Sequence, residues 1–260
     1  MAEVIELRGT QTYCEVAGHG PPLLMLHGAE GSRRQFTAIR PELEPHFTVI
    51  TYDQRDCGDT ANPETPATLV TLADDAKALL EALGYPTAHV FGTSFGGRVA
   101  QALTARHAAA VRRLVLASTW PLPLSLATAN AEVAHVLGQL RSQLPASAEL
   151  LAEYFYPPDY LAAHPAARRH FASAPARSDR SDRRRETVTD NSDLNIARIG
   201  QPTLLIAGAM DRIVPPELTL ALAESISDTQ AIVLPGVGHL GVTQAPAAVA
   251  RHVVDFLSRD

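Results

Sequence analysis

Ser94 sits among glycines in VFGTSFGGRVA, residues 90–100, after a β-branched and aromatic run and before an apolar helical pattern. A serine on a tight strand-to-helix turn takes a strained backbone that exposes its hydroxyl at the top of a sheet. Gly92 and Gly96 leave space where side chains would collide with that turn, and the helix that follows aims its first N–H groups at negative charge. A serine hydroxyl is a poor nucleophile near neutral pH and needs a base within hydrogen-bond reach. His239, in the glycine-flanked GVGHLG, can be that base. Asp211, ending TLLIAGAMD, can fix the imidazole tautomer and stabilise the imidazolium. Taken singly, the three read as a turn serine, a helix cap and a loop histidine. Together, after separate strands and in the order Ser, Asp, His, they are expected to form a triad for acyl transfer. The oxyanion would then need donors. The sequence points to the backbone N–H of Phe95 and, in the loop after PLLMLHG, to that of Ala29, with Gly28 and Gly31 allowing close approach. His27 reads as a loop-organising side chain, and the eight other histidines as structural or exposed.

These residues need strands to carry them to one edge. PLLMLHG, FTVITYD, HVFGTS, RRLVLAST, PTLLIAGAMD and QAIVLPGVGH are short, aliphatic and bounded by Gly, Pro or Asp, so they read as buried strands. Helical patterns alternate with them: TLVTLADDAKALLEALG, stopping at Gly84; GGRVAQALTARHA after the serine; PELTLALAES; and APAAVARHVVDFLSR. The expected fold is α/β, a doubly wound, mainly parallel sheet flanked by helices, opened by an antiparallel hairpin from VIELRG and TYCEVAG. In such sheets ligands gather at the carboxyl ends of the strands, where Ser94, Asp211 and His239 lie. Between residues 121 and 199 no strand pattern occurs, and this stretch reads as a small helical cap inserted into a core of residues 1–120 and 200–260. Within it, RSDRSDRRRETVTD reads as the most mobile part. Its arginines Arg177, Arg180, Arg183, Arg184 and Arg185 read as a solvated face rather than a clasp for a substrate carboxylate. Phe36, Trp120 and Tyr154 are the candidate pocket walls.

Composition narrows the function. The net charge of −6 argues against nucleic acid as a partner. Cys14 and Cys57 make no disulfide framework, and no Cys/His cluster has zinc spacing. No metal or nucleotide motif occurs, so no cofactor is expected. The N-terminus lacks the basic and apolar regions of a signal peptide, and no apolar run reaches the ~18 residues of a membrane span. The expectation is a cytoplasmic protein acting on a small molecule, with monomer and homodimer both open.

The strings LHGAEGS, YDQRDCGDT, GTSFGG, GAMDRIVPP and GVGHLG resemble the landmarks of the α/β-hydrolase fold over nearly the whole chain. That resemblance implies the triad Ser94, Asp211 and His239 and the oxyanion donors Ala29 and Phe95. Against the family loop D-x-R-G-x-G-x-S, residues 53–60 read D-Q-R-D-C-G-D-T, in which Asp56 replaces a glycine, and this leaves the shape of the loop and its rim open. By analogy Asp53 and Arg55 are structural. Haloalkane dehalogenases and epoxide hydrolases of this fold carry an aspartate at the turn, and Ser94 argues against both. Ester, lactone, thioester or amide hydrolysis remains, with carbon–carbon hydrolysis and perhydrolysis. The chain resembles carboxylesterases and 3-oxoadipate enol-lactonases most, so the expected activity is a serine hydrolase cleaving a small ester or lactone through an acyl-enzyme. The alternatives are a carbon–carbon hydrolase, a lyase or synthase, or a low-turnover ligand sensor. GGRVA also resembles the menaquinone-pathway synthase of this fold, but Arg98 reads as an exposed helix-face residue.

Overall fold

Arg8 and Gly9 both have positive φ, 48° and 77°, and this tight turn closes the first hairpin, β1 (Glu3–Leu7) on β2 (Thr10–Gly18). The computed structural model describes residues 3–62, 66–172 and 178–259. Six further strands follow where the aliphatic runs lie: β3 (Pro22–Leu26), β4 (Thr48–Tyr52), β5 (Ala88–Thr93), β6 (Val111–Ala117), β7 (Thr203–Gly208) and β8 (Thr229–Leu234). They form one sheet in the order β1-β2-β4-β3-β5-β6-β7-β8. The pairs from β4 to β8 are parallel, and β1 with β2 and β2 with β4 are antiparallel. From β3 the chain crosses to its neighbour β4, then returns to β5 on the other side of β3. The order therefore reverses at β3, the kind of switch point at which open α/β sheets bind ligands.

The strand period of two divides the core. Leu24, Leu26, Val90, Leu114 and Leu116 face one layer, which holds the helices Leu69–Ala82 and Phe95–Arg106. Leu23, Met25, Phe91 and Val115 face the other, which holds Val253 and Phe256 of the helix Pro246–Leu257. The first of these helices starts where the Thr68 side chain accepts the Thr71 amide at 3.1 Å, and it stops before Gly84, whose φ of +79° the helix cannot continue. It buries Leu69, Leu72, Ala76, Leu79 and Leu80, one face of a 3.6-residue repeat. One strand differs from expectation. β8 is the sheet edge and most of its residues are exposed or half-buried, because it has a neighbour on one side only.

Between β6 and β7 lie the helices Leu126–Ala129, Ala131–Ser142, Ala148–Phe155, Pro158–Ala163, Ala166–Ala172 and Asp179–Thr189. Among the described residues of this insertion there is no strand. The charged stretch expected to be the most mobile is mostly helical: Ser178 caps Asp179–Thr189 in a reciprocal box with Ser181. Arg177 and the side chain of His170 lie outside the described residues. No helix among the described residues is long and apolar enough to cross a membrane.

Candidate active site

Ser94 stands between β5 and the next helix, as its N-cap residue, with φ 53° and ψ −124°, a backbone that costs a non-glycine residue about 1–3 kcal/mol. Packing enforces this geometry. A methyl group on Gly92 would stand 2.4 Å from the Gly96 carbonyl oxygen, and one on Gly96 would stand 2.0 Å from that of Leu26. Only glycine lets the helix start sit this close to both β5 and the end of β3.

His239 Nε2 lies 2.9 Å from Ser94 Oγ, and His239 Nδ1 lies 2.8 Å from Asp211 Oδ2. The second Asp211 oxygen accepts the amides of Ile213 and Val214 at 2.9 and 2.8 Å. Asp211 is thus both a turn cap and a histidine partner, one oxygen for each task. The Asp211 and His239 side chains are 0% and 4% exposed, so this chain of polar contacts runs through a nearly dry environment, where hydrogen bonds are strengthened. A carboxylate that accepts Nδ1–H leaves Nε2 as the acceptor for the serine O–H.

The loop after β3 lies against the serine: a methyl group on Gly28 would stand 3.6 Å from Ser94 Cβ. Among the described residues, no protein group accepts the backbone N–H of Ala29 or of Phe95. His27 organises this loop from inside the protein. Its Nε2 accepts the Gln54 amide at 3.1 Å, so Nδ1 carries the proton and donates to the Gly28 carbonyl at 2.8 Å. Burial, reinforced by the Arg184 charge, pulls its pKa down to about 3 and keeps the ring neutral.

Of the candidate pocket walls, Trp120 and Tyr154 join one apolar cluster with Ile213 and Val214, where cap meets core. Phe36 does not. It is fully buried in the core, edge-to-face on Phe91 at 6.1 Å, because the 3₁₀ turn Arg33–Phe36 directs the ring inward under the sheet. Arg98 is likewise not exposed. It is fully buried, its guanidinium 5.4 Å from the Trp120 ring with Nη2 donating to Asn191 Oδ1 at 3.0 Å, and burial lowers its pKa to about 10.

The cap arginines are not one solvated face. Successive side chains on a helix point about 100° apart, so Arg183, Arg184 and Arg185 reach three environments. Arg185 meets Asp182 at 3.0 Å and is exposed. Arg183 forks onto Asp56, Nη2–Oδ1 2.9 Å and Nε–Oδ2 3.3 Å. Arg184 is buried, donating from Nε to the Ala29 carbonyl at 2.6 Å and from Nη2 to Gln54 Oε1 at 3.1 Å. Arg180 donates to the carbonyls of Gly58 and Thr60 at 2.7 and 2.9 Å. The unusual Asp56 is thereby explained. It keeps a glycine-like φ of +60° and its carboxylate is the socket for Arg183. Asp53 accepts the Arg33 amide at 2.7 Å, and Arg55 forks onto Asp75 with Nη2–Oδ1 at 2.9 Å; both contacts hold loops. Sequence reading gave no role to Gln54. The Phe155 carbonyl accepts the His239 amide at 3.0 Å, and the Phe155 ring stands edge-on to the imidazole at 5.7 Å.

The model of the alpha/beta hydrolase fold family matches residues 21–246. The "Putative carbamate hydrolase RutD" of Caulobacter sp. (strain K31) is 27% identical over 92% of this chain and 94% of its own length. The 2-hydroxymuconate semialdehyde hydrolase of Pseudomonas sp. (strain CF600) is 28% identical over 96% of this chain and 91% of its own. A thermophilic esterase from Thermogutta terrifontis superposes with a TM-score of 0.82 at 27% identity, over 99% of this chain and 98% of that one. With the sheet order, the turn at Ser94 and this family match in hand, the chain belongs to the α/β hydrolase fold family.

Proposed function

We propose that the protein is a serine hydrolase that cleaves a small carboxylic ester or lactone through an acyl-enzyme. The observation that carries this reading is the unbroken contact chain Ser94 Oγ, His239, Asp211. Ser94 gives its proton to His239 Nε2 as Oγ attacks the substrate carbonyl carbon, and Asp211 holds the imidazolium that results. The tetrahedral oxyanion takes the N–H groups of Ala29 and Phe95. His239 then passes the proton to the leaving alkoxide, and the acyl group stays on Ser94. A water molecule, deprotonated by His239, attacks that ester, and His239 returns the proton to Ser94 Oγ as the acid leaves. None of these steps requires a metal or cofactor.

The named activities of the relatives include an esterase, a carbamate hydrolase and a semialdehyde hydrolase. The first two share attack at an acyl carbon. The third, similar over 96% of this chain, supports carbon–carbon hydrolysis as a second reading on the same residues. A panel of p-nitrophenyl esters of rising acyl length, lactones and vinylogous diketones separates the two. The ester reading expects the best turnover on a short ester or lactone and loss of at least a thousandfold in kcat for Ser94→Ala. Turnover confined to diketones would assign the second reading, and an unchanged Ser94→Ala enzyme would remove both.

A further inference from the structure

Resting on the serine-hydrolase reading above, we propose that Arg184, carried in by the cap, is a positioning residue for the oxyanion hole, holding the Gly28–Ala29 backbone so that the Ala29 N–H faces Ser94.

The contacts fall on both halves of that hole. Arg184 Nε donates to the Ala29 carbonyl at 2.6 Å, and Nη2 reaches the Gly28 carbonyl at 3.5 Å. The Gly28 carbonyl belongs to the same peptide group as the Ala29 N–H. A donor on the oxygen fixes the peptide plane and makes the N–H a stronger donor, because hydrogen bonds in a chain polarise one another. The guanidinium also lies over the Phe95 ring, 4.9 Å from its centroid, and Phe95 carries the second N–H. Gln54 closes the frame, accepting from Arg184 at 3.1 Å and donating to the His27 carbonyl at 2.9 Å.

The charge is placed to act as well. Both backbone contacts and the Gln54 contact are to neutral oxygens, so among the described residues no carboxylate meets the guanidinium at hydrogen-bond distance. A cation next to the point where negative charge develops stabilises the transition state more than the ground state, and more so where water is excluded. Arg184 is 5% exposed and its Nη1 is wholly buried, so the side chain works through the loop and not by touching substrate. A cap that settles on the core therefore completes the oxyanion hole, and Arg184 is one tie between catalysis and cap seating.

The test compares Arg184→Met, Arg184→Lys and Asp56→Gly with the wild type. Asp56→Gly frees the same cap helix from its neighbouring anchor while leaving Arg184 in place. Each protein is checked for fold by circular dichroism. Then kcat and KM for p-nitrophenyl acetate, inhibition by a trifluoromethyl ketone, and labelling of Ser94 by a fluorophosphonate are measured. The expected result for Arg184→Met is a fall in kcat of about 10- to 100-fold, below the loss for removing an oxyanion donor outright. KM should stay within about threefold and ketone affinity should fall in step with kcat. Arg184→Lys, which can reach one carbonyl but not bridge three oxygens, should fall between, and it carries the test alone if the methionine variant does not fold. Asp56→Gly should keep kcat within about threefold. The inference is overturned if the Arg184 variants keep kcat, if Asp56→Gly loses as much as they do, or if KM alone rises, which would make Arg184 a substrate contact. A wild type that is never labelled at Ser94 removes the hydrolase reading itself; a labelled wild type with unaffected Arg184 variants removes only this inference.

Discussion

The carbonyl of Phe155 accepts the backbone amide of His239 at 3.0 Å, so the cap holds the loop that presents the imidazole. The contact requires Gly238. A methyl group there would stand 2.7 Å from the Phe155 oxygen and 2.9 Å from Pro157 Cδ. Gly238→Ala must push the cap away or shift the histidine. The expected outcome is a loss of about 1–3 kcal/mol in stability by overpacking, with kcat reduced more than KM is raised. Urea denaturation and steady-state kinetics check both, and a variant of wild-type stability and activity would show that the contact is dispensable.

Arg183 and Asp56 give a second, ordered expectation. The Asp56 side chain is 1% exposed, so Arg183→Met leaves a buried carboxylate with the Asn62 amide at 3.0 Å but without its cation and should cost about 2–4 kcal/mol. Asp56→Gly removes that carboxylate and relieves the positive φ together, so it should cost about 1 kcal/mol or less. The midpoints of urea unfolding rank the two, and the reverse order would contradict the assignment of Asp56 as an anion buried for its partner.

The meeting of Ser94, His239 and Asp211 was legible in the sequence because each follows a separate strand, and parallel strands deliver their ends to one edge. Arg184 was not, for a reason of distance. Its acceptor Ala29 lies 155 positions away, and only the folded cap brings them together. Phe36 and Arg98 fail similarly. An aromatic residue four places into a turn, or an arginine four after the nucleophile, has no local signal of which way it faces. β8 looked buried because an aliphatic run has the same composition at a sheet edge as in its middle.

Acid should weaken the fold through two buried histidines. Burial first, then the charges of Arg112 and Arg113, pull His89 down to about 4, and His27 lies at about 3. An unfolded histidine titrates near 6.5. Between these values the unfolded chain takes up protons that the folded protein refuses, so stability falls as pH drops from about 6.5 toward 4. His89, in β5 against Phe47, can be replaced without touching the site. Between pH 7 and pH 5, His89→Leu should lose about 1–2 kcal/mol less stability than the wild type. Equal losses in denaturation at the two pH values would refute a neutral buried His89.

The serine hydrolase account is tested most directly by trapping its intermediate. Rapid acid quench of the enzyme turning over p-nitrophenyl acetate, followed by mass spectrometry of its peptides, reads where the acyl group sits. The expected result is one acetyl group on the peptide that carries Ser94, abolished in Ser94→Ala and depleted in His239→Ala. Turnover of the ester with no acetyl on Ser94, or with the same yield of product from Ser94→Ala, would contradict it.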